Sequence, residues 1–297
     1  MEKHAQLFSS MHTHTVFCDG RDDIETMCRA AYDKKLYAIG FSSHAPTEKQ
    51  LGAKTTWNLK DENVSKYKAE VLAAKERWQG KLNVFFGFEA DFIEGKRAPA
   101  DDDITSFNPD FVIGSVHYLY PESARSRQLA PFTIDGSEEE FYKGLNECYD
   151  SDARKLMNSY YDTVLEMIDT GGFDILGHVD IIKKNTINKD LWPKENEISR
   201  QKEIAQAASK AGLCIEVNTG GINRKKINEV YPSLTFLKII HEYNIPLMIT
   251  SDAHNAGDIA GNYNIAVETL KMADINEHYI FNGRINRKIV WIKVKIL

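Results

Sequence analysis

The hydrophobic positions of this 297-residue chain form short apolar runs that alternate with longer amphipathic segments. Several runs, such as YAIGF, FVIGSV and LCIEV, are almost wholly apolar, as is typical of strands buried on both faces of a parallel sheet. The apolar runs predict strands near 7–12, 37–41, 83–88, 111–116, 174–177, 213–217 and 246–250. The segments between them predict helices near 22–35, 61–79, 138–169, 195–211, 232–243 and 262–273.

This alternation of strands and helices predicts an α/β fold with a mostly parallel sheet. Seven strand–helix repeats within about 250 residues favour one closed, irregular barrel, and we expect a single domain over residues 1–297. A doubly wound open sheet is the alternative. Segment 118–136 is too long for an ordinary connection and is expected to form a loop over the active face. The terminal IVWIKVKIL is expected to be an added edge strand or a segment docked on the barrel.

Composition narrows the class of protein. The chain is 42% hydrophobic and 27% charged, as in soluble globular proteins, and its net charge of −6 argues against a dedicated nucleic-acid binder. Its four cysteines are scattered and form no CxxC pair, which indicates reduced thiols. The N-terminus lacks the apolar core of a signal peptide, and no run approaches the roughly 20 apolar residues of a membrane span. We therefore expect a cytoplasmic protein without a membrane partner.

Side chains that commonly bind metals follow the predicted strands. Six of the nine histidines lie at strand ends, together with three acidic residues. Because the carboxyl ends of barrel strands open onto one face, these side chains are expected to converge there, where active sites lie. The set consists of His12, His14, His44, Glu89, His117, His178, Asp180, Asp252 and His254.

The spacing within these motifs suits metal binding. In His12-x-His14 the period of two places both imidazoles on one side of an extended chain, and Asp252-x-His254 repeats this arrangement with a carboxylate. Imidazole and carboxylate without thiolate suit Zn, Mn or Fe at a catalytic centre. The ligands are too many for one ion, so two or three ions sharing a bridging carboxylate are expected. Glu89 is the natural bridge, since its two oxygens can serve two metals.

The motifs together resemble the polymerase and histidinol phosphatase (PHP) superfamily. The resemblance runs in order over almost the whole chain and rests on HTHT at 12–15 with Asp19-Gly20, SSH at 42–44, FEA at 88–90, SVH at 115–117, GHVD at 177–180 and SDAH at 251–254. Longer stretches resemble the histidinol-phosphate phosphatase branch, namely GSVHYL, IDGSEEEF, GGFDILGHVDIIKK and EVNTGGINRKKINEVYPS.

The resemblance implies a distorted (β/α)7 barrel, with the active site at the carboxyl ends of the strands and up to three divalent metal ions. The implied first site consists of His12, His14, Glu89 and Asp252. The implied second site shares Glu89 and adds His117 and His178. The implied third site consists of Asp19, His44 and His254. For Asp19 there is an alternative to metal binding, as part of a simple Asp-Gly turn.

The same residues suggest a mechanism. A hydroxide bridging two ions would attack the phosphorus atom, because metal binding lowers the pKa of water to about 7. Asp252 or His254 could relay a proton to the leaving alkoxide, and the sequence does not choose between them. Arg224, which follows the NTGG loop, is the candidate phosphate clamp, since a guanidinium binds phosphate oxygens in a bidentate way. A solvated residue in the NRKK run is the alternative for Arg224.

The expected activity is hydrolysis of L-histidinol phosphate to L-histidinol and phosphate, a step of histidine biosynthesis, with a small phosphorylated substrate as the only predicted partner. One alternative is a PHP phosphoesterase that acts on another small phosphate, a nucleotide or a phosphoprotein. A second is a non-catalytic metal-binding PHP module. An amidohydrolase-type enzyme is disfavoured because Glu89 occupies the place of the expected bridging carboxylated lysine. The oligomeric state stays open.

Overall fold

The computed structural model describes residues 7–52, 54–185, 193–286 and 288–297. Its main sheet contains seven parallel strands: β1 Ser9–Ser10, β2 Ala38–Phe41, β3 Asn83–Asp91, β4 Phe111–Ser115, β7 Ile175–Leu176, β8 Cys214–Asn218 and β9 Leu247–Thr250. Two antiparallel ribbons lie outside it: β5 Tyr118–Leu119 with β6 Phe132–Thr133, and β10 Glu277–Ile285 with β11 Lys288–Lys295.

Helices connect the parallel strands. The longer ones are α1 Ile24–Asp33, α3 Val64–Arg77, α6 Glu138–Tyr149, α7 Ala153–Thr170, α8 Lys194–Ala211, α10 Leu234–Glu242 and α11 Tyr263–Met272. Single-turn helices are α2 Glu48–Leu51, α4 Asp102–Thr105, α5 Glu122–Arg125 and α9 Gly220–Asn223. Within the described ranges, none of the helices has both the length and the apolar character needed to cross a bilayer.

The seven strands form a nearly closed barrel. They are ordered in the sheet as they are in the chain, and the segments that follow β1 and β9 meet at a parallel bridge between Thr13 and Ala253. There the His14 N–H donates to the Ala253 carbonyl at 2.8 Å, and the Ala253 N–H donates to the His12 carbonyl at 3.2 Å. The predicted barrel is therefore confirmed. The doubly wound alternative is wrong, because the strand order never reverses.

One helix prediction is wrong. The pattern over 138–169 predicts a single helix, whereas the chain forms α6 and α7 with a break between them. Asp150 and Ser151 adopt left-handed backbone conformations, with φ of 54° and 62°. The Asp152 side chain then accepts hydrogen bonds from the backbone N–H groups of Arg154 and Lys155, which starts α7. Apolar residues continue in phase across the break, and this continuity hides the turn from a periodicity argument.

The inside of the barrel is filled by large side chains packed against small ones. The Phe111 ring fills the space beside Gly40 and Gly87, where an added Cβ would lie 2.8 Å and 2.6 Å from ring carbons. Phe281 of β10 stacks edge-on to Phe85 with ring centroids 4.9 Å apart, and lies 5.5 Å from Phe111. The β10–β11 ribbon therefore closes the amino-terminal end of the barrel. Of the two possibilities for the terminal segment, docking on the barrel is the one observed.

We expect Phe281→Ala to lower the free energy of unfolding by about 3 kcal/mol, because it empties a ring-sized space in a closed core. Denaturant titration followed by circular dichroism measures this loss. Ile285→Ala on the same strand is the matched control, since its side chain is 66% exposed and should change stability by less than about 0.5 kcal/mol. Equal losses for the two variants would show that the ribbon does not seal the barrel.

Candidate metal centre

Alternate side chains of each strand point into the barrel, and the last of these inward-pointing side chains lies at the carboxyl end of the strand. On β3, Phe85, Gly87 and Glu89 share a face, so the first packs at the bottom and the last lies at the top. His117 follows β4 by two residues and Asp252 follows β9 by two residues. Short polar segments after buried strands thus aim their side chains into a common mouth, as the sequence predicts.

The first group of side chains surrounds a small central space. Glu89 Oε2 lies 3.2 Å from His12 Nε2 and 3.5 Å from His14 Nε2. Opposite it, Asp252 Oδ1 lies 3.2 Å from His14 Nε2 and 3.7 Å from His12 Nε2. All four side chains are buried. Two imidazole nitrogens and two carboxylate oxygens therefore face one point, which is the arrangement expected for the first metal site.

The second group lies on the other side of Glu89. Its Oε1 is 2.9 Å from His178 Nε2 and 3.4 Å from His117 Nε2. The two imidazole nitrogens are 3.3 Å apart. Because Oε2 faces the first group and Oε1 faces the second, Glu89 has the geometry of a bridging carboxylate.

The third group lies towards solvent. Asp19 Oδ2 is 3.1 Å from His254 Nε2, and Asp19 Oδ1 is 3.8 Å from His44 Nε2. His44 also places its Nδ1 3.0 Å from Glu89 Oε2, so its ring lies between the third group and the first. The turn interpretation of Asp19 also holds, since the Gly20 N–H donates to the Thr15 carbonyl. The structure thus brings together the nine side chains of the three implied sites, Asp19 included. Their role as ligands stays a prediction.

The positions of these nitrogen and oxygen atoms suit the binding of cations better than hydrogen bonding among the side chains themselves. His12 Nε2, His14 Nε2, His44 Nδ1 and Glu89 Oε2 are buried and have no hydrogen-bond partner within the described part of the chain. Buried polar atoms are nearly always satisfied, and unsatisfied ones that point at a common space call for an ion or a ligand. Four overlapping sets of side chains have donor atoms close enough to one another to hold an ion: His12, His14 and Glu89; His12, His178 and Asp252; His44, Glu89 and His117; and His14, Asp19, His44 and His254.

Two carboxylates that were not predicted from the sequence orient these side chains. Buried Glu216 accepts a hydrogen bond from His12 Nδ1 at 2.9 Å and one from the backbone N–H of His178 at 2.6 Å. It also accepts from Thr250 and Asn218. Glu216 therefore links three strand ends and leaves His12 Nε2 free to face the centre. The sequence does contain an indication of this role, because Glu216 is a charged residue inside the apolar run LCIEV.

Asp91 has the same relation to the second group. Its Oδ1 lies 2.8 Å from His117 Nδ1, so that His117 Nε2 faces Glu89. The signal in the sequence was its position two residues after Glu89, on the same face of the strand. His254 is held by a backbone group instead, with Nδ1 2.9 Å from the Asp252 carbonyl oxygen. Partners of this kind fix the ring orientation of histidine ligands and make the imidazole more basic.

We expect Glu216→Gln to weaken zinc binding about 10–100-fold, because glutamine cannot accept every hydrogen bond that the carboxylate accepts and His12 loses its anionic partner. Competition with a chromophoric chelator measures the affinity, and circular dichroism reports folding. Glu242→Gln, an exposed substitution at the end of α10, is the matched control. If Glu216→Gln folds and binds zinc as tightly as this control, Glu216 does not position the ligands.

Electrostatics keep the acidic groups ionised. Burial tends to raise the pKa of Glu89, but the neighbouring His12, His44 and His117 lower it well below its usual value. Burial lowers the pKa of His14 to about 3, helped by His254 and His44. For His12, burial also acts to lower the pKa, but Glu216, Glu89 and Asp252 outweigh it and raise the pKa. The centre therefore concentrates negative charge that suits cations.

A cavity of about 380 Å³ opens beside the three groups. Arg224, the residue directly after α9, lines it with 28% of its side chain exposed. Its Nη2 donates to Asp252 Oδ2 at 2.9 Å, and its Nη1 lies 3.1 Å from His254 Nδ1. Burial works against the charge, yet Asp252 raises the pKa of Arg224, so the guanidinium stays protonated at the cavity edge.

Other charged residues near the barrel mouth pair with one another. Asp180, which the sequence places among the metal-binding side chains, instead accepts a hydrogen bond from the Ser233 N–H and pairs with Lys183, which ties the segment after β7 to the start of α10. Arg125 pairs with Glu94 and Glu122, away from the cavity. Segment 118–136 does border the cavity, but it contains β5, α5 and β6 rather than an irregular loop.

Residues 10–220 match the model of the PHP domain family. The chain belongs to the PHP domain family. This assignment confirms the resemblance drawn from the HTHT, SSH, FEA, SVH and GHVD motifs, and the nearly closed barrel agrees with it.

Relatives of this PHP protein carry histidinol-phosphatase names. It is 28% identical to a "Probable histidinol-phosphatase" of Deinococcus radiodurans, over 88% of this chain and 91% of that protein. It is 25% identical to the histidinol-phosphatase of Bacillus subtilis, over 86% of this chain and 97% of that protein. Its fold is similar to that of the Lactococcus lactis histidinol phosphate phosphatase, crystallised with zinc, L-histidinol and phosphate. That match has a TM-score of 0.65 and 18% identity, and covers 96% of this chain and 98% of that one.

Proposed function

We propose that this PHP protein is a metal-dependent phosphate-monoester hydrolase, and specifically a histidinol-phosphate phosphatase. It would convert L-histidinol phosphate and water to L-histidinol and phosphate. The observation that carries the proposal is the set of three linked imidazole–carboxylate groups at the edge of a cavity that is also lined by the half-buried Arg224. The names of the relatives support the choice of substrate.

Two to three divalent ions, of zinc, manganese or iron, are assigned to these groups. When bound, they would neutralise phosphoryl oxygens and supply the hydroxide nucleophile at neutral pH. The first site is assigned to His12, His14, Glu89 and Asp252. The second is assigned to Glu89, His117 and His178, and the third to Asp19, His44 and His254.

Side chains of the protein would bind the phosphoryl group and protonate the leaving alkoxide. Arg224 would bind phosphoryl oxygens from the cavity side; this role is supported by its charged guanidinium, which Asp252 holds in a fixed orientation. A fixed cation at this position favours the extra charge of the transition state over that of the bound ester. The leaving alkoxide needs a proton, and Asp252 and His254 border the cavity where that oxygen would lie.

The test is kcat/KM for L-histidinol phosphate against a panel of phosphate monoesters, measured with the metal-stripped protein and after adding back zinc, manganese or iron. We expect no turnover without metal and the highest kcat/KM for histidinol phosphate. If another monoester is preferred, the substrate assignment is wrong while the phosphatase assignment holds. Metal binding without turnover of any ester, including 4-nitrophenyl phosphate, would favour the non-catalytic module.

A further inference from the structure

The three groups of side chains at the barrel mouth are held in different ways. The first and second groups are buried, and the buried carboxylates of Glu216 and Asp91 orient one histidine in each. The third group lies at the rim, where 30% of the Asp19 side chain and 17% of the His254 side chain are exposed. Burial therefore does less to fix the third group, and its geometry depends on the backbone segments that carry it.

These two segments come from opposite ends of the barrel sheet. Asp19 lies in the loop after β1, and His254 lies in the segment after β9, 235 residues further along the chain. Their side chains nevertheless meet, with Asp19 Oδ2 3.1 Å from His254 Nε2. One cation can bind both side chains only if the two segments are held at a fixed separation.

The loop that carries Asp19 is compact. The Gly20 N–H donates to the Thr15 carbonyl at 3.1 Å, and the Val16 N–H donates to the Asp22 carbonyl at 3.1 Å. A Cβ added at Gly20 would lie 2.4 Å from the Thr15 backbone nitrogen, so this turn requires glycine. The loop is thus closed on itself, and whatever fastens one end of it also places Asp19.

Asp22 fastens this loop to the segment after β9. Its Oδ2 accepts from the backbone N–H of Ala256 at 2.7 Å. Ala256 begins a 3-10 helix, so its N–H needs a partner from outside that helix. The neighbouring Arg21 N–H donates to the His254 carbonyl at 2.7 Å. Two hydrogen bonds therefore join the loop to the segment that carries His254, and one of them is to a carboxylate.

Lys34 makes a second connection between the same parts of the chain. It directly follows α1, and its Nζ donates to the carbonyl oxygen of Gly257 at 3.0 Å and to that of Ile259. The first strand–helix unit thus holds the segment after β9 at two points, with Asp22 near His254 and Lys34 further along.

We propose that Asp22 is a positioning residue for the third metal site, which it assembles by holding Asp19 and His254 at the separation that one cation needs. Lys34 supports the same arrangement. This inference rests on the proposed function, because that function assigns an ion to the third group. Ligands that are already in place lose less freedom when the ion binds, and partners that orient ligands change metal affinity about 10–100-fold. The third ion should therefore depend on Asp22, and the first two should not.

The experiment follows zinc binding to the metal-free protein. The protein is equilibrated at a series of buffered free zinc concentrations, and zinc per chain is measured by elemental analysis. We expect Asp22→Ala to move the last binding step to about 10-fold higher free zinc and to leave the earlier steps unchanged. Asp22→Asn should behave like the wild type, because its amide oxygen can accept the same hydrogen bond from Ala256.

Asp33→Ala is the matched control, because Asp33 is an exposed aspartate at the end of α1. Its titration should coincide with that of the wild type. Lys34→Met keeps the apolar stem at an exposed position and should move the last step in the same direction by less than about 10-fold. Circular dichroism reports folding, and Lys34→Met decides the question if Asp22→Ala does not fold. An unchanged last step in the folded variants overturns the proposal. Equal weakening of every step also overturns it, since that indicates a general loss of structure.

Failure of the proposed function gives a different result, because zinc binding is measured without an ester. A wild type that binds a third ion but hydrolyses no phosphate monoester loses the phosphatase assignment, while the role of Asp22 is still decided by the titrations. A wild type whose titration ends at two ions has no third site, which overturns the role of Asp22. Turnover of histidinol phosphate by that two-ion protein would leave the proposed function in place.

Discussion

Glu89→Gln is expected to lower kcat for any phosphate monoester that the wild-type protein hydrolyses by on the order of 10⁴-fold. The reason is the position of the carboxylate between two groups of histidines, with Oε2 facing His12 and His14, and Oε1 facing His117 and His178. Glutamine has nearly the same shape, but it presents only one oxygen and no charge. It cannot serve two cations at once. The variant should therefore lose metal as well as activity.

The measurement combines single-ester kinetics with metal content by elemental analysis. Glu76→Gln is the matched control, because Glu76 is an exposed residue of α3 far from the cavity in the fold. It should bind metal and turn over substrate like the wild type. A folded Glu89→Gln protein that keeps full metal content and activity would contradict the bridging role.

Arg224→Ala is expected to lower kcat/KM by about 10²–10³-fold, the usual effect of removing one fixed donor that stabilises transition-state charge. Arg224→Lys should recover only part of this loss, because an ammonium keeps the charge but not the planar pair of donors. Steady-state kinetics with 4-nitrophenyl phosphate measures both. Arg154→Ala, an exposed substitution near the start of α7, should leave the kinetics unchanged.

Arg224 also holds Asp252 and borders His254, so metal content must be measured alongside. A loss of activity with metal content retained supports the phosphate clamp. A loss of one ion together with activity shows instead that Arg224 supports the metal ligands. Unchanged kcat and KM would remove Arg224 from the site.

Much of the centre could be predicted because its histidines and carboxylates lie in short motifs at strand ends. His12 and His14 are two residues apart on one side of an extended segment, and Asp252 and His254 repeat that spacing. In a parallel barrel every strand ends on the same face, so side chains that are distant in the chain meet there. The single domain, the cytoplasmic location and the ligand roles stay predictions.

The features of the site that could not be predicted depend on contacts between distant parts of the chain. Glu216 meets His12 across 204 residues of sequence, and no local pattern states that one will accept a hydrogen bond from the other. Lys184 likewise pairs with Asp135 across 49 residues of sequence.

By itself, the sequence determined the alternation of strands and helices, the parallel barrel and the identity of the side chains at its mouth, since these follow from local periodicity and from the common direction of the strands. The tertiary structure was needed to show which partner orients each histidine and that the β10–β11 ribbon closes the opposite end of the barrel. Those features arise from packing between segments far apart in the chain, and packing depends on shapes and distances that a linear pattern does not contain.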